Sequence, residues 1–150
     1  MLIAFLFQTF LLVNANSECS LKVSLIEGSQ SEVQAILEIQ GKRLSLEVDS
    51  FNAQIRKCEA LATRDYYLLE IALGSTGTTS DRAETKMILI KNANDKLIKV
   101  YEQTISYQTT RFENGEKKVS AKSFPYKLST NDKKIVVTNV ATKEKKEFPF

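Results

Sequence analysis

The residues that could carry out acid–base or metal chemistry are few in this chain of 150 residues. It has no histidine and two cysteines, Cys19 and Cys58, beside 18 aspartates and glutamates. Without histidine, the chain lacks the commonest general base and the commonest neutral metal ligand. A zinc site would need His or several Cys, and a calcium loop would need closely spaced oxygen ligands that include a bidentate Glu. We therefore predict no catalytic residue, no metal site and no cofactor.

Paired carboxylates are the remaining route to catalysis. Two of them could converge in a cleft, where the pKa of one is raised, and hydrolyse a glycosidic bond. No spacing in the sequence singles out such a pair. Asp81 and Glu84 are three residues apart, which is equally typical of a solvated turn. A hydrolase that uses paired carboxylates is therefore an alternative function rather than the main one.

The two cysteines predict a structural disulfide. Two cysteines in an exported chain most simply pair with each other, and a Cys19–Cys58 bond would close a loop of about 40 residues. There is no Cys-x-x-Cys motif, and no histidine is present to raise the thiolate population, so neither cysteine is predicted to be catalytic.

Tyrosines are the candidate contacts for a ligand or partner. Tyr66 and Tyr67 are adjacent, so in a strand they point to opposite faces, and we expect one to be buried and the other to be available to solvent or a ligand. Tyr101 and Tyr107 belong to an aromatic cluster in the second half of the chain. In a barrel these rings could line a pocket for an apolar ligand, and in a sandwich they would fill the core.

The N-terminal residues predict export. An apolar block runs from Met1 to Val13, which is too short to span a bilayer but suits a signal peptide. Val13 and Ala15 occupy the −3 and −1 positions for cleavage after Ala15. We therefore predict a signal peptide over residues 1–15 and a single β-rich domain over residues 16–150, secreted or periplasmic, with no membrane span. Glu18 directly before Cys19 argues against a lipid anchor on that cysteine.

The net charge of +3 is unevenly distributed. Residues 16–75 carry a balance of −3, and residues 76–150 carry a balance of +6. The basic second half could favour an anionic surface, although a solvated lysine-rich surface is the simpler interpretation. Aromatic residues do not alternate with these lysines as they would in a single-strand binder, so nucleic acid is not the expected partner.

The order of the chain is dominated by strands. Apolar and polar residues alternate along residues 21–25, 33–39 and 44–48, as they do in half-buried strands. Gly41 predicts one hairpin turn, and Asn114-Gly115 predicts another. The stretch from Gly74 to Ser80 predicts a mobile loop between strands. Short links force neighbouring strands to be antiparallel.

One segment departs from this alternation. Apolar residues between Ser50 and Ala62 recur at helical spacing, so we predict a short helix here, with Asp49 or Ser50 as its cap. A further strand is the competing interpretation.

These patterns together predict a mainly β fold, an antiparallel sandwich or small barrel of nine or ten short strands with one short helix. The expected function is that of an exported, non-enzymatic binding or interaction module with a protein or small apolar ligand as partner. A lipocalin-like carrier of a small apolar ligand is the first alternative.

Overall fold

The computed structural model describes residues 18–29, 32–48, 52–76 and 80–150. The predicted signal peptide over residues 1–15 lies outside the described residues, as do the two candidate helix caps, Asp49 and Ser50.

The described chain forms eleven β-strands and a single 3₁₀ turn over Ala62–Arg64. The strands are β1 (Cys19–Leu25), β2 (Val33–Ile39), β3 (Lys42–Glu47), β4 (Asn52–Leu61), β5 (Tyr66–Thr76), β6 (Ser80–Asn92), β7 (Leu97–Glu113), β8 (Glu116–Ser123), β9 (Tyr126–Thr130), β10 (Lys134–Asn139) and β11 (Lys145–Pro149).

The strands assemble into three antiparallel sheets. The central sheet has five strands in the order β4-β5-β6-β7-β8. The N-terminal sheet has the order β1-β2-β3, and the C-terminal sheet has the order β11-β10-β9. Because the two smaller sheets pack against opposite faces of the central one, the molecule is a layered sandwich. The predicted mainly β, antiparallel fold is confirmed, in its sandwich form.

One core lies between the N-terminal and central sheets. Leu37 and Ile39 of β2 are buried here against Leu69 and Ile71 of β5. The sulfurs of Cys19 and Cys58 are bonded and join β1 to β4, with the two Cα atoms 6.3 Å apart. That separation lies within the ordinary range for a disulfide.

A second core lies between the central and C-terminal sheets. Leu68 of β5 and Leu89 of β6 are buried here against Ile135 and Val137 of β10. Consequently β5 and β6 are covered on both faces along the part of their length that carries the unbroken apolar runs. These runs are Tyr66-Tyr67-Leu68-Leu69 and Met87-Ile88-Leu89-Ile90. Continuous apolar runs are what strands buried on both faces require.

The predicted helix between Ser50 and Ala62 is wrong, because residues 52–61 form strand β4. The strand contains a β-bulge between Ile55 and Lys57, where Arg56 is the extra residue. An extra residue reverses the alternation, so Ile55 and Cys58 both pack against the first core although they are three residues apart. The spacing of Ile55 and Cys58, which we interpreted as helical, is therefore explained by the bulge in β4.

Both predicted hairpin turns are confirmed. Gln40 and Gly41 connect β2 to β3 with φ angles of 51° and 76°, and Asn114 and Gly115 connect β7 to β8 with φ angles of 52° and 78°. Two successive positive φ angles are typical of the tight turn that matches the twist of a hairpin. The predicted loop from Gly74 to Ser80 is shorter than expected, because β5 continues to Thr76 and β6 begins at Ser80.

Candidate functional site

The C-terminal sheet covers only half of the face on which it lies. Along β5, the residues on this face are Tyr66, Leu68, Glu70, Ala72 and Gly74, because alternate residues of a strand share a face. Tyr66 and Leu68 belong to the buried core, whereas Ala72 and Gly74 line an open groove. The C-terminal sheet therefore ends beside Glu70.

We call the uncovered half of this face the open face. Its floor consists of small residues from three strands of the central sheet: Ala72 and Gly74 of β5, Ala83 of β6 and Ala121 of β8. The register places Ala72 opposite Thr85, and Gly74 opposite Ala83. Because these side chains are short, the face is hollow where the covered half of the same strands carries Leu and Met.

Uncharged hydrogen-bonding side chains surround the floor. Gln54 lies on β4, Thr85 on β6, Ser106 and Gln108 on β7, and Ser123 on β8. Each of these side chains can both donate and accept a hydrogen bond. They come from four of the five strands of the central sheet, and the strand register brings them together.

The groove on the open face has a volume of about 590 Å³. It continues toward the far end of β6 and β7 in a smaller depression of about 280 Å³ that includes Asp81 and Thr110. Beyond it, two apolar side chains project on the same face, Phe112 with 50% of its surface exposed and Val119 with 54%.

A half-buried polar contact marks the boundary between the covered half and the open face. The Tyr126 hydroxyl, on the C-terminal sheet, donates a hydrogen bond of 2.6 Å to the Glu70 carboxylate. Burial, this bond and the negative charge of Glu70 raise the pKa of Tyr126 well above its usual range. Tyr126 therefore stays protonated and holds the edge of the C-terminal sheet to β5.

The opposite face of the same part of the sheet carries an internal ion pair. Glu84 accepts hydrogen bonds from Arg82 at 2.6 Å and from the Thr104 hydroxyl at 2.7 Å, and Arg82 lies over the ring of Tyr107. Burial by itself would raise the pKa of Glu84. The bonds from Thr104 and Arg82 and the charge of nearby Lys86 outweigh burial, so the net effect lowers the pKa. Glu84 is therefore a charged structural residue whose partners are already in place.

The structure does not bring the four candidate tyrosines together. Tyr66 and Tyr67 point to opposite faces as expected, but both are buried, with 2% and 0% of their surfaces exposed. The expectation that one of them faces solvent is wrong, because each face is covered by another sheet at this point. Their hydroxyls donate to the Pro149 carbonyl and the Glu18 carboxylate, at 2.6 and 3.3 Å.

The other two tyrosines are half-buried and lie on different faces of β7. Tyr101 packs against Phe148 of the C-terminal sheet, and its hydroxyl donates to Gln103. Tyr107 pairs with Glu84 across the strands and carries Arg82 on its ring. Tyr101 does not line the groove, and Tyr107 borders it but belongs by register to the opposite face, with Glu84.

The basic residues of the last strands lie mainly on the outer surface of the C-terminal sheet. Lys127 and Lys145 flank Thr138 in one row across its three strands. Lys134 forms an ion pair of 2.7 Å with Glu147 in this sheet. Part of the positive charge of the second half therefore lies on this outer layer, and three further lysines, Lys117, Lys118 and Lys122, lie on β8.

Two other kinds of feature are absent from the described ranges. In that part of the chain, no helix combines the length and the apolar character needed to cross a membrane. Among the same residues, no three or more Cys, Asp or Glu side chains are grouped so that they could hold a metal ion.

Sequence reasoning missed the open face, although a signal for it exists. On β5 the side chains on this face change from Tyr66 and Leu68 to Ala72 and Gly74, and on β6 they change from Leu89 and Met87 to Thr85 and Ala83. When the alternate residues on one face of a strand change from large to small toward one end, the sheet that packs on that face covers only part of the strand. The register that aligns the two changes could not be read from the sequence.

Comparison with known proteins found no relative: no protein-family model, no curated protein and no solved structure matches this chain.

Proposed function

We propose that this protein is an exported, non-enzymatic binding module that holds its partner on the open face of the central sheet. The observation that carries the proposal is that the C-terminal sheet covers only half of one face of the central sheet. The central sheet extends past the edge of the C-terminal sheet and presents a hollow floor surrounded mainly by uncharged polar side chains. Concave surfaces with a few convergent polar groups are the usual locations of ligand sites.

Export is supported by the cysteine pair. A bond between Cys19 and Cys58 persists in oxidising compartments and is rare in reducing ones. The apolar N-terminal block, which we interpret as a signal peptide, also supports export.

The geometry favours a binding role over the two alternatives. A lipocalin-like carrier would hold its ligand inside a closed barrel, whereas these strands form three separate sheets whose interfaces are filled by side chains. A hydrolase would need two carboxylates about 5–9.5 Å apart. Glu70 and Asp81 lie on the open face, but the register separates them by about 20 Å along the strands.

Substitution of Ala83 tests the proposal. Ala83 is exposed in the middle of the floor, so Ala83→Arg fills the groove without disturbing either core. The matched control is Ser45→Arg, at an exposed position of β3 in the N-terminal sheet. Each protein is used to capture components of its native extract, which are identified by mass spectrometry of proteins and small molecules.

The expected result is a component that wild type and Ser45→Arg retain and Ala83→Arg loses. Equal capture by all three proteins would contradict the proposal, as would capture by none of them. Equal thermal unfolding temperatures for the two variants would establish that the loss is not caused by misfolding.

A further inference from the structure

We infer that the ligand of the open face is an uncharged polyhydroxylated chain, that is, an oligosaccharide. The inference rests on the proposed function and identifies the chemical class of the partner. It is drawn from the hydrogen-bonding chemistry of the groove, the availability of those groups, and the shape of the floor.

The polar groups of the groove are those that match sugar hydroxyls. Gln54, Gln108, Ser106 and Ser123 each offer both a donor and an acceptor, as every sugar hydroxyl does. Of the charged residues that border the groove and its smaller depression, Glu84, Lys122 and Arg82 belong by register to the opposite face of the sheet. Arg56 on β4 and Asp81 in the smaller depression remain, and both lie at the margins. An anionic or cationic ligand would leave its charge without a partner in the middle of the groove.

These groups are also available. No other described side chain or backbone group forms a hydrogen bond with the side chains of Gln54, Gln108 or Ser123. Two neighbours on β7 provide the contrast, because Gln103 donates to the Phe124 carbonyl and Thr104 donates to Glu84. Gln103 and Thr104 are thus already bonded within the fold, whereas Gln54, Gln108 and Ser123 are not.

The shape of the floor favours a chain over a compact ligand. Five strands spaced about 4.8 Å apart give a surface about 20 Å wide. Both edge strands, β4 and β8, expose most of their side chains and do not wall off the groove. The small floor residues Ala72, Gly74 and Ala83 allow the flat carbon faces of sugar rings to approach the sheet.

A polypeptide fits this surface less well. An extended peptide usually satisfies its backbone groups by pairing with an edge strand. The floor lies in the middle of the sheet, where the backbone groups of β5 and β6 are already paired with each other and with β7. Only side chains remain to bind a ligand there, and hydroxyl groups along a sugar chain can use them one by one.

The test uses purified protein and four neutral hexasaccharides as probes: β-linked and α-linked glucose, β-linked mannose and β-linked N-acetylglucosamine. Isothermal titration calorimetry compares wild type with Gln108→Leu, which keeps the size of the side chain and removes its hydrogen bonds. The control is Gln34→Leu on β2, where the neighbouring Ala35 and Leu37 face the core and Gln34 faces away from it.

We expect at least one probe to bind wild type and Gln34→Leu equally, and to bind Gln108→Leu about tenfold more weakly, the effect of one lost hydrogen bond. Absence of binding by all four probes would overturn the inference, and so would equal binding by Gln108→Leu. If no sugar binds while Ala83→Arg still abolishes capture from the extract, the oligosaccharide assignment fails and the proposed function stands. If neither effect is seen, both fail.

Discussion

The covered and open halves of one face of the central sheet differ in side-chain size, although the same strands run through both. In the covered half, β5 and β6 present Leu68, Met87 and Leu89 to the C-terminal sheet. In the open half they present Ala72, Gly74, Ala83 and Thr85 to solvent. On the opposite face the first core extends further along β5, to Leu73. The difference shows that one strand can supply core residues and a binding surface in succession.

The largest difference in stability is expected between two side-chain truncations on β6, one in each half of the face. Leu89→Ala removes a fully buried side chain from the covered half and is expected to lower the free energy of unfolding by about 2–5 kcal/mol. Thr85→Ala, on the same face of β6 in the open half, should change it by less than about 0.5 kcal/mol. Chemical denaturation of both variants measures the difference. Similar losses would mean that the open half is part of a core.

The two outer sheets provide a second comparison, because only the N-terminal sheet is joined to the central sheet by a bond between described cysteines. The double variant Cys19→Ala/Cys58→Ala should lower the free energy of unfolding by up to about 4 kcal/mol, since a bond spanning 39 residues restricts the unfolded chain. Denaturation of oxidised wild type and the variant tests this. Labelling of two free thiols in non-reduced wild type would show that the bond is not formed.

The ion pair behind the open face should make stability depend on pH. Because the pKa of Glu84 is lowered in the folded state, its contribution is complete above the unfolded pKa of about 4.3 and is lost as pH falls through the folded value. Glu84→Gln should therefore cost about 1–3 kcal/mol at neutral pH, and the gap from wild type should close on acidification. A gap that is the same at pH 7 and at pH 3 would contradict this assignment.

The smallest expected effect is that of a substitution at Gly74, which should increase stability and weaken ligand binding. A Cβ added at Gly74 would lie 3.8 Å from its nearest neighbours, which is ordinary contact, and its φ angle is not one that requires glycine. Gly74→Ala should therefore raise the free energy of unfolding by about 0.5–1 kcal/mol, because glycine weakens a strand interior. It should also weaken ligand binding by raising the floor. A variant that is more stable and binds equally well would show that the floor is not contacted.

The sequence predicted where strands and turns occur better than it predicted how each strand pairs with its neighbours. Alternation and turn residues located most strands, and the positive φ angles at Asn114 and Gly115 follow directly from the residue types. The strand β4 was mistaken for a helix because a bulge at Arg56 placed Ile55 and Cys58, three residues apart, on one face. Bulges depend on the partner strand, which a single segment does not specify.

The site was harder to foresee than the fold. The tyrosines seemed suitable for binding because large amphipathic rings often bind ligands, yet Tyr66 and Tyr67 are used to fill two cores. The groove residues are common small and polar types that attract no notice in sequence. They become a site only because the register aligns Gln54, Ala72, Thr85 and Ser106 in one row.

Site-specific photocrosslinking can show whether the open face is the binding surface. A benzoylphenylalanine placed at Ser123, an exposed residue beside the groove, is compared with the same group at Ser45, an exposed residue of the N-terminal sheet. We expect a discrete adduct at position 123 in the native extract and none at position 45. Adducts of equal yield at both positions, or an adduct at position 45 alone, would contradict the assignment of the open face as the binding surface.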